Sequence, residues 1–284
     1  MSSELPRGGY ASVNHASTSD GVATATIVNP TRVKAPRVPV WSYLERKVRK
    51  YGNRVRTRWR VKNRPRMIRL GGVRLAIDRE LYSAKIIQRL YDEGYEREER
   101  VALERTVRPT DRVLELGAGI GYLSAVVARR IGGERVTTCE ANPDLLTTIA
   151  VTHELNGVRP AVLHGVMSRD AGIDSCRFYS HRDLWSSSLR KPKQGEHHVL
   201  DVPTLHWQTE LDRLQPTYLL MDIEGGEIDL LEAFECPSVE RMLIEFHPKK
   251  TGQASVNRVF SHLTKIGFVW AQADRGSNIY YFER

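Results

Sequence analysis

Residues Val113–Ser124 read Val-Leu-Glu-Leu-Gly-Ala-Gly-Ile-Gly-Tyr-Leu-Ser, so three glycines on alternate positions follow a short apolar run. Because glycine carries no Cβ, such a loop lets the backbone approach a ligand closely. A second apolar run ends in Glu140, roughly twenty residues further on, where a carboxylate is placed to bind the two hydroxyls of a ribose. Together these residues predict a nucleotide-type cofactor bound between a strand and the helix that follows it.

The spacing of the glycines selects the kind of cofactor. A dinucleotide fingerprint has its third glycine three residues after the second, but here Tyr122 stands three residues after Gly119 and the third glycine is Gly121. With Glu115 at the end of the preceding strand, this spacing favours S-adenosylmethionine (SAM). We expect Glu140 to bind the ribose and Glu115 to reach towards the methionine amino group. The residues expected to contact SAM are Glu115, Gly117, Ala118, Gly119, Gly121, Tyr122, Glu140, Asn142, Met167, Ser168 and Asp222.

Acidic residues and one imidazole mark the place where a methyl acceptor would bind. Asp222 and Glu224 lie at the end of the predicted strand Tyr218–Ile223, and His247 directly follows the predicted strand Met242–Phe246. An alcohol is a poor nucleophile at neutral pH and requires a base or a metal nearby. We therefore expect Asp222, Glu224 and His247 to be catalytic. Either Asp222 or His247 would be the base, and Glu224 would orient the acceptor.

Structural roles for the same residues stay open. Asp222 would then only accept hydrogen bonds from loop amides, and His247 would be an ordinary strand-end residue. Glu227 would stabilise the N-terminal turn of a helix. A divalent ion held by Asp222, Glu245 and His247 is a further alternative, because hard ligands converge there. We expect the site to hold no metal.

The alternation of apolar runs with helical patterns determines where these residues lie. Strands are predicted at Val113–Leu116, Val136–Glu140, Ala161–Gly165, Tyr218–Ile223, Met242–Phe246, Phe268–Ala273 and Ile279–Phe282. This order predicts an α/β fold of the Rossmann-like class I methyltransferase type. Its sheet would be seven-stranded and mostly parallel, with an antiparallel C-terminal hairpin and helices on both faces. Ligands of such sheets bind beyond the carboxyl ends of the strands, where the acidic residues are found.

Basic charge is concentrated in one segment of the chain. Residues 41–69 contain twelve Lys or Arg and one acid, whereas the whole chain has a formal net charge of +9. We predict a disordered tail over residues 1–40, a basic helical extension over 41–69 and a methyltransferase domain over 70–284. Residues 169–210 are too long for a simple crossover, and we expect this insertion to lie over the acceptor site.

Three interpretations of residues 41–69 stay open. In the first, the segment is a solvated helix that packs Trp41, Leu44 and Val48 on the domain. In the second, it binds an anionic membrane surface. The third and least favoured is a nucleic-acid contact in which Tyr51 and Trp59 stack on bases. The other partners that we expect are a small-molecule or glycan acceptor and a second copy of the chain in a homodimer.

The cysteines and the hydropathy of the chain point to a cytoplasmic location. Cys139, Cys176 and Cys236 are far apart and odd in number, so they fit neither a disulfide framework nor a zinc site. The N-terminus lacks the apolar run of a secretory signal. No stretch approaches the ~18 apolar residues that a membrane span needs.

Three motifs resemble the FkbM family of SAM-dependent methyltransferases. They are the glycine loop at 115–121, the sequence Asp-Ile-Glu-Gly-Gly-Glu at 222–227 and Ser-Ser-Leu at 187–189, and the resemblance covers residues 70–283. The resemblance implies O-methylation of a hydroxyl on a saccharide, glycolipid or secondary metabolite.

Two rival functions remain beside the one implied by this resemblance. The first is an RNA methyltransferase that docks through the basic helix 41–69. Residues 222–227 lack the Asn/Asp-Pro-Pro-aromatic motif used on exocyclic base nitrogens, which counts against this rival. The second rival is a non-catalytic scaffold that retains the fold.

Overall fold

The computed structural model describes residues 40–180, 198–273 and 276–284, with side chains from residue 52 onward. The helices are α1 (Val40–Asn63), α2 (Ala84–Tyr91), α3 (Arg97–Thr106), α4 (Tyr122–Ile131), α5 (Pro143–Leu155), α6 (Trp207–Leu214), α7 (Glu227–Leu231), α8 (Pro248–Thr251) and α9 (Gln253–Lys265). The strands are β1 (Met67–Leu70), β2 (Val73–Ala76), β3 (Val113–Leu116), β4 (Val136–Glu140), β5 (Ala161–His164), β6 (Val166–Ser168), β7 (Ser175–Ser180), β8 (His198–His206), β9 (Tyr218–Met221), β10 (Arg241–Glu245), β11 (Val269–Gln272) and β12 (Ile279–Glu283). Residues 1–39 of the predicted tail and the Ser-Ser-Leu motif at 187–189 lie outside the described residues.

A seven-stranded sheet forms the centre of the domain, in the order β11-β12-β10-β9-β3-β4-β5. The five strands from β10 to β5 in this order pair in parallel. Strand β12 is antiparallel to both of its neighbours, β10 and β11. The predicted fold class, a mostly parallel α/β sheet with an antiparallel C-terminal pair, is therefore confirmed.

Side chains on the two faces of the sheet belong to separate hydrophobic cores. Val113 of β3 packs in the core that includes Ile86 of α2 and Leu103 of α3. Leu114 packs in the other core, together with residues of α6, α7 and α9 such as Leu211. A strand that is apolar on both faces requires cover on both, and the helices provide it.

A second, three-stranded sheet fills much of the predicted insertion. Strand β8 lies in the middle, parallel to β6 and antiparallel to β7. The sequence patterns did not predict these strands. Pro203 lies within β8 opposite Ser175, and proline is normally excluded from a central strand because it cannot donate a ladder hydrogen bond. Phe178 and Val202 are nevertheless buried, so this small sheet has an apolar side of its own.

A buried ion pair joins the segment before β3 to the start of β10, the two strands that lie on either side of β9. The Arg241 guanidinium at the start of β10 lies 2.5 Å from the Asp111 carboxylate, and both side chains are at most 2% exposed. Asp111 also accepts hydrogen bonds from the Thr217 hydroxyl (3.0 Å) and the Arg108 N–H (2.7 Å). These contacts compensate for the loss of water around a buried charge.

Helix α1 continues through Gly52 and ends at Asn63, shortly before Pro65, so residues 67–69 of the predicted helical extension lie in β1 instead. Its first turn contains no acidic residue and its last turn contains Arg60 and Lys62. None of the helices in the described ranges combines the length and the apolar composition that crossing a membrane requires.

Candidate active site

The loop after β3 brings the carboxyl ends of two strands into van der Waals contact. Gly117 has φ +89°, and a Cβ on this residue would lie 1.9 Å from the carbonyl oxygen of Asp222. The Gly117 N–H donates to the carbonyl of Cys139 (3.0 Å), and the Asp222 N–H donates to the carbonyl of Leu116 (3.0 Å). Both the conformation and the close approach exclude every residue except glycine.

Glu140 holds the second half of this loop from the end of β4. Its two carboxylate oxygens accept hydrogen bonds from the N–H groups of Gly119 and Asn142, each at 2.8 Å. Burial raises the pKa of Glu140 to about 7. Each carboxylate oxygen has a second lone pair, so the group can still accept hydrogen bonds from a ligand. The Asn142 side chain is used elsewhere, because it caps α5 at the Asp144 N–H (3.1 Å) and donates to Ser180 (3.1 Å).

A cavity of about 550 Å³ opens beyond the carboxyl ends of β3, β4 and β9. This volume is in the range of sites that bind small organic molecules. The sequence-predicted site residues that line it are Gly117, Gly119, Glu140, Asn142, Met167, Ser168, Asp222 and Glu224. The structure therefore brings both the predicted cofactor residues and two of the predicted catalytic residues to one cavity.

Glu115 does not reach this cavity, although we expected it to approach the methionine end of the cofactor. Its side chain is 1% exposed and accepts a hydrogen bond from the hydroxyl of Thr138 on β4. Burial raises the pKa of Glu115 to about 7. It lines only a small adjoining pocket, which it shares with Glu96 and Asp222. Because residue 115 points to the face of the sheet opposite Leu114 and Leu116, it packs beneath the loop.

Three further predicted cofactor residues also lie away from the cavity. Ala118 is buried within the loop. Gly121 begins α4, and a Cβ there would lie 3.1 Å from the Cα of Ile149 on α5, so this glycine lets two helices pack closely. Tyr122 is fully buried in the core on the α2–α4 face. The end of the glycine loop and the start of α4 thus direct these residues towards the interior of the protein.

Residues just before α3 and in its first turn cover the glycine loop, and we did not predict them as site residues. Tyr95, Glu96 and Glu99 line the cavity, together with Lys85. A Cβ on Gly119 would lie 3.1 Å from the Tyr95 hydroxyl oxygen, which shows how closely this segment covers the loop. Glu96, in the sequence Gly-Tyr-Glu at 94–96, has φ +44°. The small sheet adds Cys176, Phe178 and Thr204 to the wall.

The predicted catalytic residues form one cluster of carboxylates around an imidazole. The Nε2 atom of His247 lies 3.3 Å from Glu224, 3.7 Å from Asp222 and 3.9 Å from Glu245. Its Nδ1 atom lies 3.3 Å from Glu227, a fully buried residue that also accepts the His247 N–H at 2.9 Å. His247 itself lies behind the carboxylates, whereas Asp222, Glu224 and Glu245 line the cavity.

The close approach of these groups changes how readily each binds a proton. Burial raises the pKa of Asp222 well above its ordinary value, and the charges of Glu245 and Glu224 raise it further. Burial and neighbouring carboxylates likewise raise the pKa of Glu245 to about 7. Burial disfavours the charged form of His247, but its hydrogen bond to Glu227 and the carboxylate charges outweigh this, so its pKa is raised.

The cluster can therefore accept a proton near neutral pH. Asp222 Oδ1 is buried, has no hydrogen-bond partner among the described residues and lies 3.7 Å from the Nε2 atom of His247. Glu224, in contrast, is held by Lys250 (2.6 Å) and has φ +56°. The ligand atoms of Asp222, Glu245 and His247 lie within 4.8 Å of one another, a spacing that could also hold a divalent ion.

Three features define the class of protein as a Rossmann-like, SAM-dependent methyltransferase. They are the central sheet, the glycine loop at 115–121 (called the cradle below) and Glu140 at the end of β4. Residues 72–171, which include the cradle and Glu140, match the family model described as the TRM5/TYW2 methyltransferase domain. The predicted enzyme class and cofactor are thereby confirmed. The predicted membership of the FkbM family is wrong, because the segment with the glycine loop matches this other family. Glycine loops of this kind occur in many SAM-binding proteins and do not separate one family from another.

A curated relative matches a shorter stretch of the chain than the family model does. The chain is 41% identical over 64 residues to the ribosomal protein L11 methyltransferase of Thermus thermophilus, which is 22% of this chain. The match spans about a quarter (24%) of the length of that curated relative.

Solved structures with a similar fold include TYW2 of M. jannaschii in complex with AdoMet. It has a TM-score of 0.41 and 14% identity, over 77% of this chain and 85% of that one. An FkbM methyltransferase of Methylobacillus flagellatus KT has a TM-score of 0.40 and 18% identity, over 70% and 55% of the two chains.

Proposed function

We propose that the protein transfers a methyl group from SAM to RNA. The observation that carries this proposal is the match of residues 72–171 to the TRM5/TYW2 domain, which belongs to a tRNA methyltransferase family. This function replaces the saccharide or metabolite hydroxyl that we expected from the FkbM resemblance. It corresponds to the alternative in which residues 41–69 bring the chain to RNA.

The residues of the cradle fit the proposed cofactor. Gly117 and Gly119 line the cavity without side chains, and Glu140 offers its carboxylate to ribose hydroxyls. Met167 and Phe178 supply an apolar wall on which a flat base can pack. SAM, when bound, supplies an electrophilic methyl group, so the protein chiefly has to orient the acceptor and remove its proton.

The carboxylates at the other end of the cavity supply the proton acceptor. Asp222 and Glu245 both line the cavity, and the pKa of Glu245 is raised to about 7, as an efficient general base requires near neutral pH. His247 stabilises the ionised carboxylates from behind through its raised pKa. A donor group on the acceptor, such as an O–H or N–H, would bind to these oxygens and lose its proton to them.

The distribution of charge also favours a polyanionic substrate. Residues 41–69 have a net charge of +11, whereas the whole chain has +9, so residues outside this segment are slightly acidic in total. Phosphate contacts dominate the affinity of proteins for nucleic acids, and they require such clusters of Lys and Arg. The acidic cavity and the basic segment would then contact different parts of one RNA.

A methylation assay with radioactive SAM tests this function. We expect the full chain to label an RNA fraction, and the labelling to fall steeply as salt is raised. Asp222→Asn should lower turnover by roughly 10²–10⁴-fold, because it removes a proton acceptor, while SAM affinity changes far less. Ser277→Ala, a substitution on the far hairpin, serves as the control. Labelling of proteins or saccharides with no labelling of RNA would contradict the proposal.

A further inference from the structure

The second half of α1 has polar residues on its inner face. Asn53, Arg56, Thr57 and Arg60 are spaced as i, i+3, i+4 and i+7, so they share one side of the helix. The backbone carbonyls of residues 91 and 92 accept hydrogen bonds from Asn53, Thr57 and Arg60 at 3.1–3.3 Å. Arg56 and Arg60 pair with Glu93 at 3.1 and 3.2 Å. This half of the helix is therefore attached to the domain by hydrogen bonds and charges.

The outer face of the same helix carries apolar side chains. Val55, Arg58, Trp59 and Lys62 repeat the same spacing two residues further on, which turns them by about 200° away from the inner face. Trp59 is 57% exposed and Val55 is 51% exposed. An amphipathic surface helix normally has the opposite arrangement, with its apolar side chains towards the core. Trp59 therefore contributes little to the fold and is available to a partner.

Cations surround the exposed indole. Arg58 precedes Trp59, and Lys62 lies on the adjacent turn of the same face. Within the described part of the chain, neither Arg58 nor Lys62 takes part in an ion pair. An aromatic side chain between cations is the arrangement with which proteins bind single-stranded nucleic acids, because bases stack on the ring and phosphates contact the cations.

We propose that this outer face, formed by Val55, Arg58, Trp59 and Lys62, binds an unpaired segment of RNA. Trp59 stacks on a base, and Arg58 and Lys62 contact the adjoining phosphates. The inference rests on the proposed function only in taking RNA as the substrate. It concerns residues that precede the matched segment 72–171 and so adds a binding surface outside that domain. A lipid surface requires a broader apolar face than these two side chains provide.

Binding of the full chain to a short, unstructured, fluorescein-labelled RNA tests the surface by fluorescence anisotropy. Trp59→Leu should weaken binding by about 5- to 150-fold, whereas Trp59→Phe, which keeps a ring, should retain most of the affinity. The double variant Arg58→Gln, Lys62→Gln should reduce the slope of log affinity against log salt by about 1.4. Val61→Ala is the matched control, because Val61 is 47% exposed on the same helix but is turned away from Trp59.

Equal RNA affinity of the wild type and Trp59→Leu would overturn the inference. So would a Trp59-dependent affinity for vesicles of anionic phospholipid that exceeds the affinity for RNA. RNA binding that depends on Trp59 without RNA methylation supports this surface and refutes the proposed function. RNA methylation with the same kcat/KM in Trp59→Leu supports the function and refutes the surface. SAM affinity, measured by calorimetry, should be the same in all of these variants.

Discussion

Replacing Gly117 by alanine should disable the cofactor cradle by displacing the two strand ends that meet there. A Cβ at this position would lie 1.9 Å from the Asp222 carbonyl oxygen and 2.9 Å from its carbon, and both belong to the backbone. The neighbouring atoms therefore cannot move aside as a flexible side chain would. We expect the loop to separate from β9. The cavity should then lose its shape between the part that binds SAM and the part that binds the methyl acceptor.

The size of the effect follows from a comparison with Gly157, which has φ +63° and open space of at least 4 Å around the position that a Cβ would take. Alanine at Gly157 meets only the cost of the left-handed conformation, about 1–2 kcal/mol. Alanine at Gly117 meets that cost and an overpacking cost of about 1–3 kcal/mol in addition. The free energy of unfolding should therefore fall by about 2–5 kcal/mol in Gly117→Ala.

Urea unfolding and calorimetric titration with SAM measure the two consequences separately. Gly157→Ala should lose some stability and keep its SAM affinity, because Gly157 lies at the end of α5 and away from the cavity wall. Gly117→Ala should lose more stability and at least tenfold in SAM affinity, about 1.4 kcal/mol. If Gly117→Ala and Gly157→Ala had the same urea midpoint and the same SAM affinity, the assignment of the glycine loop as part of the SAM site would be refuted.

Three further substitutions test the buried charges. Glu140→Gln should weaken SAM binding by about 10- to 150-fold at alkaline pH, since a charged hydrogen bond contributes about 1.5–3 kcal/mol. Because the pKa of Glu140 is about 7, wild-type affinity in calorimetry should rise as the pH passes upward through 7, and the variant should show no such rise. Burial raises the pKa of Glu115 from 4.5 to about 7, so its contribution to stability is full below the lower value and is lost as pH rises through the higher one. Glu115→Gln should flatten thermal stability over that window, and an unchanged pH profile would contradict the burial of this carboxyl. Asp111→Ala should lower the free energy of unfolding by about 3–5 kcal/mol in urea, because Arg241 would remain buried without its partner; a loss below about 1 kcal/mol would show that the pair is unimportant.

The central sheet could be predicted because each of its buried strands is a short apolar run between clear helix signals. The Asn142-Pro143 pair, for example, marks the start of α5 as the structure has it. The small sheet could not be predicted from the same signals. Its middle strand contains Pro203, and its neighbours lie far from it in sequence, so pairing depends on tertiary contacts that no local pattern reports.

The candidate site was predictable where the order of the strands determines a residue's position. The positions of Gly117 and Glu140 at the cavity follow from the order of the strands, but their contacts with the Asp222 carbonyl and with the loop amides were not predicted. The position of Tyr122 does not follow from that order, because the first turn of a helix can direct a side chain either to the ligand or to the core. Tyr95 and Glu96 reach the loop only through the packing of α2 and α3, which the sequence does not display.

The contact between Gly117 and Asp222 joins the two halves of the cavity through main-chain atoms alone. The separation between the main chain of the glycine loop and the main chain that carries Asp222 is thus built into the sheet. The elements that would select an acceptor, the small sheet and α1, lie outside this junction. Substitutions on those elements can therefore change which acceptor is selected without moving the main-chain contact between Gly117 and Asp222.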